Sequence, residues 1–226
     1  ANSRIDYSIS HGILGIIYYL SKYYLLTDDK YILKIINASL QIYKNFLDDK
    51  EHNHITQFPS ISDANIKNQT EFYYSNRTVW CYGSIGSFRA LYLIASNIND
   101  IGLKEKVKEK IICFKNNKLS DFNLICPTFC HGLSGLYLIL ELFRKEENMQ
   151  ELQSTIIDLE QRIWSYYDPL LPYCFPKYDD DGKGRKESIY DDTSFVGGAV
   201  SIAICYLIKN SKDIENDFFT FSLALK

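Results

Sequence analysis

What this 226-residue sequence lacks narrows its class before any motif is read. Basic charge is not in excess: 25 Lys and Arg face 28 Asp and Glu, a formal net charge of −3. A nucleic-acid binder would show a basic face, so nucleic acid is excluded as a partner. No run of 18 uncharged apolar residues occurs. The longest apolar stretch near the beginning, Ile13 to Leu20, is too short to span a bilayer and has no basic flank of the signal-peptide kind. The chain therefore reads as cytoplasmic. Dense cysteine spacing is missing too. Six cysteines are spread from Cys81 to Cys205 in a large domain, whereas disulfide scaffolds are small and secreted, so free thiols or metal ligands are expected. The sequence also opens Ala1-Asn2-Ser3 without an initiating Met, which reads as the later part of a longer protein.

Apolar residues are plentiful, at 46% hydrophobic and 15% aromatic. That composition excludes disorder, and the length is sufficient to bury a core without staples. No shift of composition marks a second domain, so residues 1–226 read as one.

Two kinds of helical pattern alternate. Ile32, Ile35, Ile36, Leu40, Tyr43 and Phe46 form a one-sided apolar stripe behind Thr27-Asp28-Asp29, which predicts an N-cap and an acidic first turn. Leu103 to Phe114, and Leu152, Ile156, Leu159 and Ile163, repeat that design. The second kind is apolar nearly all round and is headed by glycine. Gly12-x-x-Gly15, Gly83-x-x-Gly86 and Gly132-x-x-Gly135 each open such a helix, and Gly198 opens a fourth in which Ser201 replaces the second glycine. Helices buried on all sides belong to an inner layer and one-sided helices to an outer one, so the pattern predicts an all-α, α/α repeat of four inner helices. Glu51–Phe72 and Cys174–Asp192 read as long loops. Within the second, Asp179 to Gly184 resembles a calcium loop but fails its register, because the frame that places Gly182 sixth has Lys177 first and Ser188 twelfth. A solvated turn is expected there, with Asp191 to Ser194 capping the next helix.

Metal-competent residues precede two of the glycine turns, in Trp80-Cys81-Tyr82-Gly83 and Phe129-Cys130-His131-Gly132. The repeat places Cys81, Cys130 and His131 at the same end of adjacent inner helices. Two thiolates and an imidazole make a three-ligand zinc site with an open fourth position, which is the catalytic arrangement. Cys126 is a local rival ligand, while Cys113, Cys174 and Cys205 read as small core residues. His11 occupies in the first turn the place of His131 in the third, so it faces the same cavity. Arg77 lies four residues before Cys81 and could anchor a carboxylate or polarise a carbonyl. His52 and His54 form an exposed His-x-His in a polar loop.

Trp80-Cys81-Tyr82-Gly83 with Cys130-His131-Gly132, upstream Ser10-His11-Gly12 and the glycine-headed helices together resemble the lanthionine synthetase C-like (LanC) cyclases, over about Ile5 to Ile208. The resemblance implies an α/α toroid of seven inner and seven outer helices around a zinc ion, of which four inner helices are visible here. It makes Cys81, Cys130 and His131 the ligands of one Zn per chain, His11 the acid/base, and Arg77 and Tyr82 further active-site residues. Tyr82 leans toward the stand-alone bacterial cyclases. The family also carries an upstream aspartate, which no residue here matches, so the chain reads as the C-terminal part of a cyclase. The implied reaction is Michael addition of a peptide Cys thiol to dehydroalanine or dehydrobutyrine in a dehydrated lanthipeptide precursor, forming lanthionine or methyllanthionine. A dehydratase and an exporter are the implied partners, through which the protein would sit peripherally at the membrane. The alternative is a non-catalytic member that holds peptide for partner enzymes. A toroid glycosidase would need two carboxylates, where the first three turns offer His, Tyr and His.

Overall fold

A computed structural model describes residues 3–64, 70–180, 186–189, 192–211 and 223–225. In chain order its main elements are β1 (Ser3–Asp6), α1 (Ile13–Thr27), α2 (Lys30–Asp48), β2 (Phe58–Ala64), β3 (Thr70–Ser75), α3 (Ser84–Asn97), α4 (Ile101–Ile112), α5 (Leu133–Glu146), α6 (Gln153–Trp164), β4 (Lys177–Asp180), β5 (Lys186–Ile189) and α7 (Val200–Asn210). Helices α1, α3, α5 and α7 pack in sequence as an inner layer, with α2, α4 and α6 packed outside them. Among the described residues no helix is long and apolar enough to cross a membrane.

Local chemistry sets the helix ends. Asp28 closes α1 in the left-handed conformation (φ 54°), and the Asp29 carboxylate accepts from the Tyr31 amide at 2.8 Å to start α2. One Asp thus stops a helix and the next begins one, so the acidic first turn expected of α2 is absent. The predicted stripes are buried where they meet the inner layer: Ile36, Leu40, Tyr43 and Phe46 on α2, and Ile156, Leu159 and Ile163 on α6.

Both segments read as loops contain strands. β1, β2 and β3 form an antiparallel sheet in that order, and β4 pairs with β5. Pro59 sits where the β2–β3 register shifts, the position a strand can give to a residue without an amide N–H. The hairpins feed the glycine turns: β1 runs into the turn before α1, β3 into that before α3, and β5 leads toward that before α7. Residues 181–185, where the solvated turn was expected, lie outside the described residues. Ser194 does not cap α7, whose first turn begins at Val200 after Ala199. Asp192 and Ser194 instead shape the preceding turn, where the Asp192 and Ser194 carbonyls accept from the Ala199 and Gly198 amides.

The core between α3 and α5 holds two unusual features. Gly86 and Gly135 pass so close to the turn residues before them that an added Cβ would lie 1.9 Å from the Trp80 carbonyl oxygen and 2.3 Å from that of Phe129. Arg89, fully buried, makes two 2.7 Å bonds to Glu146 and donates through Nε to the Leu225 carbonyl at 2.8 Å, beside the rings of Tyr92 and Phe143. The Trp80 indole donates to the Leu223 carbonyl at 3.0 Å. Residues 223–225 are therefore pinned at both ends to α3 and the turn that precedes it.

Candidate metal centre

The glycine turns bring their preceding residues to one end of the inner layer. Cys81 is buried, Cys130 half-buried and His131 exposed, and one donor atom from each lies within 4.8 Å of the other two. The Cys130 Sγ is 3.7 Å from His131 Nε2, and the Cys81 thiol donates to the Cys130 carbonyl at 3.5 Å. A sulfur and an imidazole nitrogen on one tetrahedral zinc stand about 3.5 Å apart, so the spacing and the donor set both fit that ion.

Electrostatics prepares one thiol of the pair, Cys130, for a metal and opposes the other. The Cys81 hydrogen bond, opposed by burial and reinforced by His131 and the charge of His11, draws the Cys130 thiol down to about 5. Cys81 moves the opposite way, pushed far up first by its hydrogen bond with Cys130 and then by burial. One thiol of the pair gives up its proton readily while its partner keeps one, and a metal ligand must be deprotonated.

His11 and Tyr82 lie beside this group, their rings stacked at 5.4 Å and 27°. Burial, followed by the negative charges of Asp6, Cys81 and Cys130, raises the Tyr82 hydroxyl above its ordinary value, so it keeps its proton at neutral pH. Arg77 is placed differently. It lines a groove of about 530 Å³ with Asn76, Leu119, Ser120, Asn123, Leu124 and Ile125, a lining that includes none of the three donor residues. Cys126 also stands apart from the donor group; its buried sulfur takes the Tyr178 amide at 3.4 Å and lies 3.1 Å from the Thr128 hydroxyl. Of the three cysteines read as core, Cys205 is buried, but Cys174 is half-buried and Cys113 is exposed at the end of α4. His54 corrects the reading of an exposed His-x-His. It is buried against Phe46, with Nε2 2.8 Å from that residue's carbonyl, whereas His52 is half-buried beside Asp49.

Further residues in these turns were given no role by the sequence. Ser10 occupies the cysteine position of the first repeat, and its hydroxyl donates to the Cys81 carbonyl at 3.3 Å. Asp6 stands six residues before Gly12, as Asp192 does before Gly198, and each carboxylate accepts from the amide two residues on, at 2.8 and 2.7 Å. Aligning the four turns over six further residues upstream of the glycine would have shown that pair.

A family model described as lanthionine synthetase C-like protein matches residues 1–223. Among solved structures, a nisin cyclase superposes with a TM-score of 0.69 at 17% sequence identity, covering 98% of this chain and 50% of that one. The chain thus spans about half the length of that cyclase. The likeness identifies the fold as the α/α toroid, here with four inner helices described. No curated protein matches the sequence.

Proposed function

The chain belongs to the lanthionine synthetase C-like family, and from that premise we propose that it forms lanthionine or methyllanthionine rings in a dehydrated lanthipeptide precursor. The observation that carries the proposal is the convergence of Cys81, Cys130 and His131 beside the stacked His11–Tyr82 pair. In the reaction the S–H of a peptide cysteine adds across the C=C of dehydroalanine or dehydrobutyrine. A C–S bond forms at the β-carbon, a proton arrives at the α-carbon, and nothing leaves.

Cys81, Cys130 and His131 would hold one zinc per chain, with a fourth position free for a ligand from substrate. When bound, the metal supplies a lowered thiol pKa, so that the peptide cysteine is nucleophilic at neutral pH. The His11 imidazole, exposed toward solvent and stacked on Tyr82, would take the thiol proton or return one to the α-carbon, a contribution of about 10²–10⁴ in rate. Tyr82, protonated at neutral pH, would donate to the carbonyl oxygen on which negative charge develops. Arg77, in the neighbouring groove, would hold the peptide by a carboxylate or carbonyl. A dehydratase and an exporter would be its partners, at the cytoplasmic face of a membrane.

The test is to incubate the zinc-loaded chain with a dehydrated precursor, alkylate and weigh the product. Cyclisation leaves the mass unchanged and removes alkylatable thiols. Thiols that remain fully alkylatable although peptide is retained would overturn the cyclase reading in favour of the peptide-holding alternative.

A further inference from the structure

The fourth glycine turn offers no ligand. Where the others have Ser10, Cys81 and Cys130 it has Val196, and where they have His11, Tyr82 and His131 it has Gly197. Its backbone nevertheless reaches the centre. The Cys130 amide donates to the Val196 carbonyl at 2.9 Å, and the Phe129 amide donates to the Ser201 hydroxyl oxygen at 3.0 Å. Ser201 passes its own proton to the Gly198 carbonyl at 2.6 Å. Ser201 and Phe129 are buried to 1% and 2% exposure, so water is not at hand to replace either bond.

Ser201 is also the residue that breaks the repeat. At the equivalent position Gly86 and Gly135 are compelled by the carbonyl of their own turn. α7 instead begins one residue later relative to its first glycine, at Val200 rather than at the adjacent position used by Ser84 and Leu133. Ser201 carries a side chain where those turns have none, and its hydroxyl is turned across the interface to the third turn.

We propose that Ser201 is a positioning residue for the metal centre: by holding the Phe129 amide, next to the Val196–Cys130 bond, it fixes the backbone from which Cys130 and His131 extend. The inference rests on the metal reading given above. Two adjacent amides held by the fourth turn and by the first residues of α7 leave the third turn little freedom to slide along the inner layer. Without the hydroxyl, the Phe129 amide is buried with no acceptor, and the turn shifts to find one. Partners that hydrogen-bond the ligands themselves alter metal affinity by about 10–100-fold when lost, and Ser201, acting through the Phe129 amide next to Cys130, is expected at the low end of that range.

The experiment measures zinc affinity of the full chain by competition with a chromophoric chelator, and the thiolate–cobalt absorption after Co(II) loading, for Ser201→Ala, Ser201→Gly and Ser201→Thr. Thermal unfolding of the metal-free proteins is measured alongside. Ser201→Ala and Ser201→Gly are expected to bind zinc about tenfold or more weakly with a changed cobalt spectrum, while Ser201→Thr, which keeps the hydroxyl, stays near the unaltered chain. Unchanged zinc affinity and spectrum in Ser201→Ala, even with a lower melting temperature, would overturn the inference and leave the metal reading standing. Failure of the unaltered chain to take up zinc would overturn both, and is distinguishable because it appears before any substitution.

Discussion

The two middle inner helices and the two flanking ones begin with similar turns and differ in nearly everything after. In α3 and α5 almost every residue is buried. In α1 the burial narrows to Leu14, Ile17, Tyr18 and Ser21, and Ile16, Tyr19, Tyr23 and Leu26 are exposed; in α7, Val200 and Leu207 are exposed. The middle turns hold Cys81, Cys130 and His131, whereas the flanking turns contribute Ser10, Val196 and Ser201, which touch the ligand-bearing backbone. One local motif therefore supports two jobs. The middle turns bring together the three metal-competent side chains, and the flanking turns brace the backbone that carries them.

Ligand substitution should separate the two classes most sharply. Cys81→Ala or Cys130→Ala is expected to reduce bound zinc from one per chain to none by elemental analysis, while His11→Ala, in a flanking turn, keeps its zinc and loses about 10²–10⁴ in cyclisation rate. Zinc retained in full by Cys130→Ala would end the distinction. Truncation of side chains should follow burial. Leu138→Ala, in fully buried α5, is expected to cost about 2–5 kcal/mol in urea unfolding, against about 0.5 kcal/mol or less for Leu207→Ala on α7, where the side chain is 70% exposed.

Glycine offers a finer contrast. Gly86→Ala must displace the Trp80 carbonyl and is expected to cost about 1–3 kcal/mol. Gly102→Ala, in outer helix α4, meets only the Asp100 side chain at 3.6 Å and should stabilise by about 0.5–1 kcal/mol. The fourth turn adds a contrast that depends on pH. The Lys177 ion pair, followed by the Ser194 hydrogen bonds, holds Asp192 down to about 2. Its stabilisation is present above the ordinary carboxylate range and is lost as pH falls through about 2. Asp192→Asn should cost up to about 1 kcal/mol near pH 6, and the difference should vanish in unfolding measured below pH 2.

How much of this was legible depended on distance along the chain. The glycine-headed helices, their outer partners and the Cys–Cys–His group lie in local patterns, so periodicity and the repeat were sufficient to find them. The β2–β3 hairpin was hidden because Pro59 and a register shift interrupt its alternation. His54 looked like a surface histidine because its partner, the Phe46 carbonyl, is created by the packing of α2's end. Arg77 stands four residues before Cys81, and sequence alone did not show that it lines a groove with Asn76, Leu119 and Asn123. Ser201 registered only as a flaw in a repeat, since its acceptor role needs Phe129, 72 residues earlier, to be alongside.

The strip at 223–225 has a consequence in time. Trp80, next to Cys81, finds its acceptor 143 residues onward, and Arg89 finds its own 136 residues onward. Contacts of that separation form late, because the closure entropy of the intervening chain must be overcome before any reward arrives. Helices and hairpins can assemble while the Cys81 turn still wanders, and the turn settles only when the strip slots in between. Metal uptake followed during refolding should therefore lag behind the recovery of helical signal, making the ion a clock for the final act of assembly.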